Sequence, residues 1–195
     1  MNDQAKSRRR LLLLAALFIA PFAAAVTLYY FAPSLIPEGR VNYGTLISPA
    51  RALPALELVD AGGQPAPTAL KRGKWTLLYL GGSRCEDACQ QRLYLVRQVR
   101  LALAKDRERV QRVYLAPGPE ALAAAKTALA SADHHDLIFV SESKGAAQAF
   151  FGPTDADAVY LVDPLGNWLM VYTGAIEPKK LLKDLKKLLL FSQVG

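Results

Sequence analysis

The sequence predicts an α/β fold of three layers, a central mixed sheet with helices on both faces, preceded by one N-terminal transmembrane helix. Three observations carry the prediction. An uncharged apolar run from Leu11 to Phe31 follows the basic cluster Lys6, Arg8, Arg9 and Arg10. Beyond it, short apolar runs of strand character alternate with segments of helical spacing. The chain's two cysteines, Cys85 and Cys89, stand four apart directly after one of those runs.

The first run is long enough, at about 1.5 Å per residue, to cross the hydrocarbon core of a bilayer. Residues 1–10 therefore read as a cytoplasmic basic segment and 11–31 as a single-pass anchor, because the positive cluster precedes the run and none comparable follows it. Pro21 in mid-span is tolerated in a membrane helix. A cleaved signal peptide is the alternative, with Ala23-Ala24-Ala25 as its cleavage site. Val26 to Phe31 carries the apolar run past that site, which favours an uncleaved anchor. Either reading places the rest of the chain outside the cytoplasm, at a bacterial inner membrane with the domain in the periplasm, where disulfides persist.

Residues 32–54 carry Pro33, Pro37, Pro49 and Pro54 with Gly39 and Gly44, the composition of a tether or an extended packed arm. Residues 55–195 form one domain, large enough to be held by its own core without staples. Within it Leu56–Val59 reads as a short strand closed by Asp60-Ala61-Gly62-Gly63, and Trp75–Leu80 as a buried strand. Asp87 to about Lys105 places Leu93, Val96, Val99 and Leu103 at helical spacing. Val110–Ala116 is a strand broken by Pro117-Gly118-Pro119, and Glu120–Ala130 an alanine-rich helix. Leu137–Val140 is a strand, Lys144–Phe151 a short helix, and Val159–Val162 and Trp168–Tyr172 a hairpin turning on Asp163-Pro164-Leu165-Gly166-Asn167. The last helix begins near Pro178 and turns Leu181, Leu182, Leu185, Leu188 and Leu189 inward. This order of strands and helices matches a thioredoxin-like layout, with the cysteines at the head of the first main helix.

That position has chemical consequences. Unpaired N–H groups and the helix dipole at a helix start favour negative charge, so a thiol there ionises more readily, and thiolate is both nucleophile and metal ligand. Arg84 assists, whereas Glu86 and Asp87 oppose, giving a moderately reactive pair. One helical turn puts both sulfurs on one face, and a disulfide is compatible with Cys85 at a non-helical cap.

The segment Leu80-Gly81-Gly82-Ser83-Arg84-Cys85-Glu86-Asp87-Ala88-Cys89-Gln90-Gln91-Arg92-Leu93 resembles, in spacing, the Cys-Pro-Asp-x-Cys-Pro-x-x-Leu segment of SCO/SenC proteins, membrane-anchored factors of cytochrome c oxidase assembly. Gly73-Lys74-Trp75 and Tyr160-Leu161-Val162-Asp163-Pro164-Leu165-Gly166 extend the resemblance. The stretches Leu93-Tyr94-x-x-Arg97-Gln98-Val99-Arg100-Leu101-Ala102 and Asp163–Asn167 are similar to those of short bacterial SCO-like proteins. The resemblance implies copper held by Cys85 and Cys89 with one histidine before the late strand, and action on the oxidase subunit that carries the dinuclear copper site. Here that stretch, Thr154-Asp155-Ala156-Asp157-Ala158-Val159-Tyr160, has no histidine, and Glu86 and Gln90 replace the two prolines. Two soft thiolates suit Cu(I), with Met170, a distant side chain or the client as a further donor.

His134 and His135, the chain's only histidines, read as part of a polar connecting loop, because adjacent ligands point apart. The net charge of +7 overstates the outer domain, since the first 31 residues hold four Lys/Arg and one Asp, leaving 20 Lys/Arg against 16 Asp/Glu. Much of the excess lies in one helix, at Lys179, Lys180, Lys183, Lys186 and Lys187, a solvated face or a contact for anionic lipid or an acidic partner. Nucleic acid is not expected as a partner outside the cytoplasm. Three functions follow. The first is a thiol-disulfide reductant that returns oxidase copper-site cysteines to thiols, Cys85 attacking and Cys89 resolving, with no cofactor required. The others are a Cu(I) chaperone using the same thiolates and a redox-inert assembly adaptor.

Overall fold

The computed structural model describes residues 3–32, 42–67, 69–70, 73–130, 134–152 and 157–192. The chain divides into two compact units, Met1–Val41 and Asn42–Gly195. The first holds one helix, α1 (Asp3–Phe31), with Pro21 inside it. From Lys6 to Phe31 its mean hydropathy reaches 2.5, and none of it is buried by protein. Phe18, Phe22 and Tyr30 are each more than two-thirds exposed, the condition of a helix whose burial is left to lipid. The basic segment and the apolar run are continuous in this one helix.

The second unit is built on a seven-stranded sheet. Its strands are β1 (Thr45–Ala52), β2 (Val59–Asp60), β3 (Trp75–Leu80), β4 (Val110–Ala116), β5 (Leu137–Ser141), β6 (Val159–Val162) and β7 (Asn167–Tyr172), in the spatial order β1-β7-β6-β3-β4-β5-β2. β3, β4 and β5 run parallel, while β6, β7, β1 and β2 add antiparallel pairs, so the sheet is mixed, as the sequence predicts. The helices are α2 (Asp87–Leu101), α3 (Pro119–Ala128), α4 (Ala146–Phe151) and α5 (Pro178–Phe191), with a 3-10 turn at Ala104–Arg109.

Alternation along the central strands sorts the core into two layers. Leu77, Tyr79 and Tyr114 join Leu93, Val96, Leu122, Leu181 and Leu185 of α2, α3 and α5. Leu78, Val113 and Leu115 face the other way, toward Ala147 and Phe151 of α4 and the aromatic pair Tyr160 and Trp168. Period-two alternation in a sheet covered on both faces gives this division directly.

Three expectations differ from the structure. Of the segment 32–54 read as a tether or extended packed arm, Thr45–Ala52 is extended and packed, an edge strand antiparallel to β7, and the compact unit that contains it begins at Asn42, ahead of residue 55. Almost every residue of β1 is exposed, so it carries no alternating apolar signal, and its Pro49 falls where the register shifts between Leu46 and Arg51, a place an edge strand tolerates proline. The strand expected at Leu56–Val59 is only Val59–Asp60, pairing with Ser141 and Val140. The helix expected to reach Lys105 ends at Leu101, because Ala104 adopts a positive φ of 53° and opens the 3-10 turn.

One buried carboxylate fastens β1 to the far end of the chain. Asp184 of α5 accepts hydrogen bonds from the Tyr43 and Gly44 amides, at 2.9 and 3.0 Å, and from the Tyr172 hydroxyl at 3.1 Å. A second tie is the fully buried Arg112 of β4. It donates two hydrogen bonds to Asp136, one of them at 3.2 Å, and one to the Leu93 carbonyl, while Arg100 of α2 reaches the same carboxylate at 3.0 Å.

Candidate functional site

The site forms where β3 ends and α2 begins. Gly81 continues the parallel ladder by donating its N–H to the Leu115 carbonyl at 2.8 Å, and a Cβ there would lie 2.1 Å from the Tyr114 hydroxyl. Only glycine lets the loop pass this close to β4. The chain then turns through Gly82, Ser83 and Arg84 to Glu86, the extended N-cap of α2, which makes no side-chain capping bond. Cys85 thus sits just before the cap and Cys89 in the first helical turn. Their Cα atoms are 5.2 Å apart and their sulfurs are joined in a disulfide, within the range such bridges need.

Both cysteines are buried, in the layer of core that α2 covers. Gln90 donates to the Cys85 carbonyl at 3.2 Å, and Arg92 holds α2 against the segment after β7 by donating to the Gly174 carbonyl at 2.7 Å. A cavity of about 500 Å³ opens beside the bridge, lined by Arg84, Cys89, Tyr79, Pro117, Gln148 and Asp157 among others. Arg84 and Glu86, the chain neighbours of Cys85, line it too. The exposed Arg84 and Glu86 put charges of both signs on its rim.

Across the cavity from α2, the Tyr79 hydroxyl donates a short hydrogen bond to Asp157, and its ring stacks on Tyr114 at 5.7 Å. Burial, reinforced by Asp157, pushes the Tyr79 phenol well above the ordinary tyrosine range, so it remains a proton donor. Burial alone pushes Tyr114 up to about 12. This pair of tyrosines was not singled out from sequence. Tyr79 reads there as one more apolar position in a buried strand, and its carboxylate partner lies 78 residues away.

The other expected donors lie elsewhere. Met170 is buried in β7, where its sulfur meets the Tyr172 hydroxyl at 3.9 Å and its methyl packs by Gly44, and it does not line the cavity. His134 and His135 lie in the connection before β5, the first buried and the second exposed. Among the described residues no group of three or more His, Cys, Asp or Glu side chains gathers as a metal site. Of the stretch before β6 that lacks a histidine, Asp157–Tyr160 are described and Thr154–Ala156 lie outside the described residues.

Comparison with known proteins places this arrangement. The family model described as transmembrane-like, thioredoxin-like, C-terminal domain matches residues 75–192. The chain is 37% identical over 75 residues to a "Putative copper-binding protein" of Stutzerimonas stutzeri, covering 38% of this chain and 37% of that protein. It is 30% identical over 118 residues to the mouse mitochondrial protein SCO2 homolog, covering 54% of this chain and 46% of that one. It thus spans less than half the length of these relatives. Among solved structures, apo Sco1 from Thermus thermophilus superposes with a TM-score of 0.56 at 24% identity, over 75% of this chain and 96% of that one. Copper-bound yeast Sco1 superposes with a TM-score of 0.59 at 16% identity, over 74% and 91%. At these identities the structures establish the fold.

Proposed function

This chain belongs to the transmembrane-like, thioredoxin-like C-terminal domain family and is SCO-like, and we propose that it is a membrane-anchored, periplasmic thiol-disulfide reductant acting through Cys85 and Cys89. Its client is the oxidase subunit whose paired cysteines form the dinuclear copper site. The observation that carries the reading is the Cys85–Cys89 bridge at the head of α2, opening on a cavity large enough for a client segment.

We take Cys89, which lines the cavity, as the attacking thiol in place of Cys85, the order expected from sequence. In the reduced chain the Cys89 thiolate attacks a client disulfide, a bond forms between Cys89 Sγ and one client sulfur, and the other client sulfur leaves as a thiolate that takes a proton from water. Cys85 then attacks Cys89 Sγ, closing the intramolecular bridge and releasing the second client thiol. Two electrons pass to the client, and an external dithiol restores the pair. When that donor attacks Cys89, Cys85 is the leaving thiolate, favoured by its position just before the start of α2.

Single serine variants test this. Cys85→Ser, which leaves Cys89, should form a mixed disulfide with a client-derived peptide disulfide at least about tenfold faster than Cys89→Ser. Faster trapping at Cys85 would restore the order expected from sequence. No trapping by either variant, with intact oxidase assembly in the double serine variant, would defeat exchange and leave the adaptor function.

The relative named for copper binding supports a second reading, in which Cu(I) is cargo carried by the reduced cysteines. The two sulfurs fit Cu(I) by softness, but no described side chain completes a three-donor set with them. Titration of the reduced chain with Cu(I) against a competing chelator, beside the double serine variant, separates the readings. Cysteine-dependent binding at one equivalent supports the chaperone, and equal binding by both proteins rules it out.

A further inference from the structure

The lysines of α5 are more sharply organised than a merely soluble surface requires. Leu181, Asp184, Leu185 and Leu189 turn inward, and Lys179, Lys183, Lys186 and Leu190 follow one another at helical spacing along the exposed side. Lys180 and Lys187 flank that stripe. Lys179 and Lys183, and Lys183 and Lys187, are four apart, so the face repels itself, and among the described residues Glu177 is the acid paired with it, through Lys180. The other nearby carboxylate, Asp184, is turned into the core and occupied by Tyr43, Gly44 and Tyr172.

Apolar groups border the same charged face. Leu190 and Phe191 end the helix 77% and 76% exposed, and Tyr43, half exposed, lies under Lys180 and Lys183 with their ammonium groups 5.6 and 5.4 Å from its ring. The Lys183 ammonium also donates to the Tyr43 hydroxyl at 3.2 Å. Lysines that converge on an amphipathic aromatic ring, next to exposed leucine and phenylalanine, have the composition of a helix that lies at a lipid interface. Repulsion within the face is relieved by a surface that supplies many anions at once.

Connectivity bears on the occupant. Tyr43 stands at the start of the second unit, and Asp184 binds its amide to α5, so the basic face is built at the point where the chain enters the domain. Ten residues separate Phe31, the last of the apolar helix, from Asn42. A segment of that length extends at most about 35 Å. With the apolar helix in a bilayer, a tether of that reach keeps anionic headgroups within range of the domain.

We propose that the exposed face of α5, with Tyr43, Leu190 and Phe191, docks on anionic phospholipid headgroups of the membrane that the chain is anchored in. Lysines would meet lipid phosphates while Leu190, Phe191 and the Tyr43 ring reach toward the acyl boundary. The inference does not depend on the thiol chemistry proposed above.

The test uses the full chain in nanodiscs, one set of pure phosphatidylcholine and one in which about a third of the lipid is phosphatidylglycerol. Lysine acetylation by a soluble reagent is followed residue by residue by mass spectrometry. Lys179, Lys183, Lys186 and Lys187 should be acetylated at least about threefold more slowly in the anionic discs, with Lys105 and Lys126 unchanged. Half-molar salt, where the Debye length is about 4 Å, should remove the difference. In Lys183→Glu with Lys186→Glu, the protection of Lys179 and Lys187 should disappear. Equal rates in the two lipids overturn the proposal, as does protection that survives the double reversal. Slowing that appears only when an acidic protein is added, and not with anionic lipid, would assign the face to a protein partner and overturn it as well.

Discussion

At the scale of single residues, the site depends on one side chain that is missing. Gly81 passes so close to Tyr114 that any Cβ would strike the phenol, and neither the buried ring nor the ladder bond to Leu115 can move freely. Gly81→Ala is expected to lose about 1–3 kcal/mol in urea unfolding and to slow thiol exchange, whereas Gly82→Ala, whose Cβ would meet the Arg84 carbonyl at an ordinary 3.8 Å, should do neither. Asp136 supplies a second prediction. Burial by itself would raise its carboxyl, but the hydrogen bond and charge of Arg112, with Arg100 behind it, hold it below the ordinary aspartate value. A carboxyl depressed in the folded state contributes stability above its unfolded value, near pH 4, and that contribution is lost as pH falls through the lower folded value. The urea midpoint should therefore drop more steeply below about pH 4 in the parent than in Asp136→Asn. The variant itself should be destabilised at neutral pH by about 3 kcal/mol or more, because Arg112 is left buried without its counter-ion.

At the scale of elements, α5 does two jobs with opposite faces. Its leucines close the core layer that also holds the cysteines, and Asp184 among them recruits the first residues of the unit. Removing that carboxylate leaves the buried Gly44 amide, the part-buried Tyr43 amide and a buried phenol without their acceptor, each worth about 1 kcal/mol or more. Asp184→Ala should lower stability by roughly 3 kcal/mol, and hydrogen exchange at Tyr43, Gly44 and β1 should quicken before the rest of the sheet opens. The opposite order of exchange would place the weak point elsewhere. α2 was legible from its spacing of Leu93, Val96 and Val99, and α5 from its leucines, because one-sided burial imposes a helical period on the sequence. β1 was not legible. An edge strand with nearly every side chain exposed has its partner's backbone, and not its own side chains, as the source of its order.

At the scale of the whole molecule, the boundary of the folded unit is a direct test of that difference. A chain beginning at Asn42 should unfold in one cooperative transition, and a chain beginning at residue 55 should unfold at lower urea, because it lacks the strand that covers the edge of β7 and the amides that satisfy Asp184. Equal midpoints would mean that β1 is an ornament on the fold. The sequence by itself determined the apolar helix, the alternation of strands and helices, the hairpin on Asp163 and the cysteines at the head of α2. These are local signals, written in the spacing of apolar residues and in turn residues a few positions apart. Only the tertiary structure decided that a cavity opens beside Cys89, that Tyr79 meets Asp157 there, that Met170 is spent on the core, and that Tyr43 lies under the lysines of α5. Those pairings join residues far apart in the chain, and no local pattern encodes them because they arise only when the sheet brings distant strands into register.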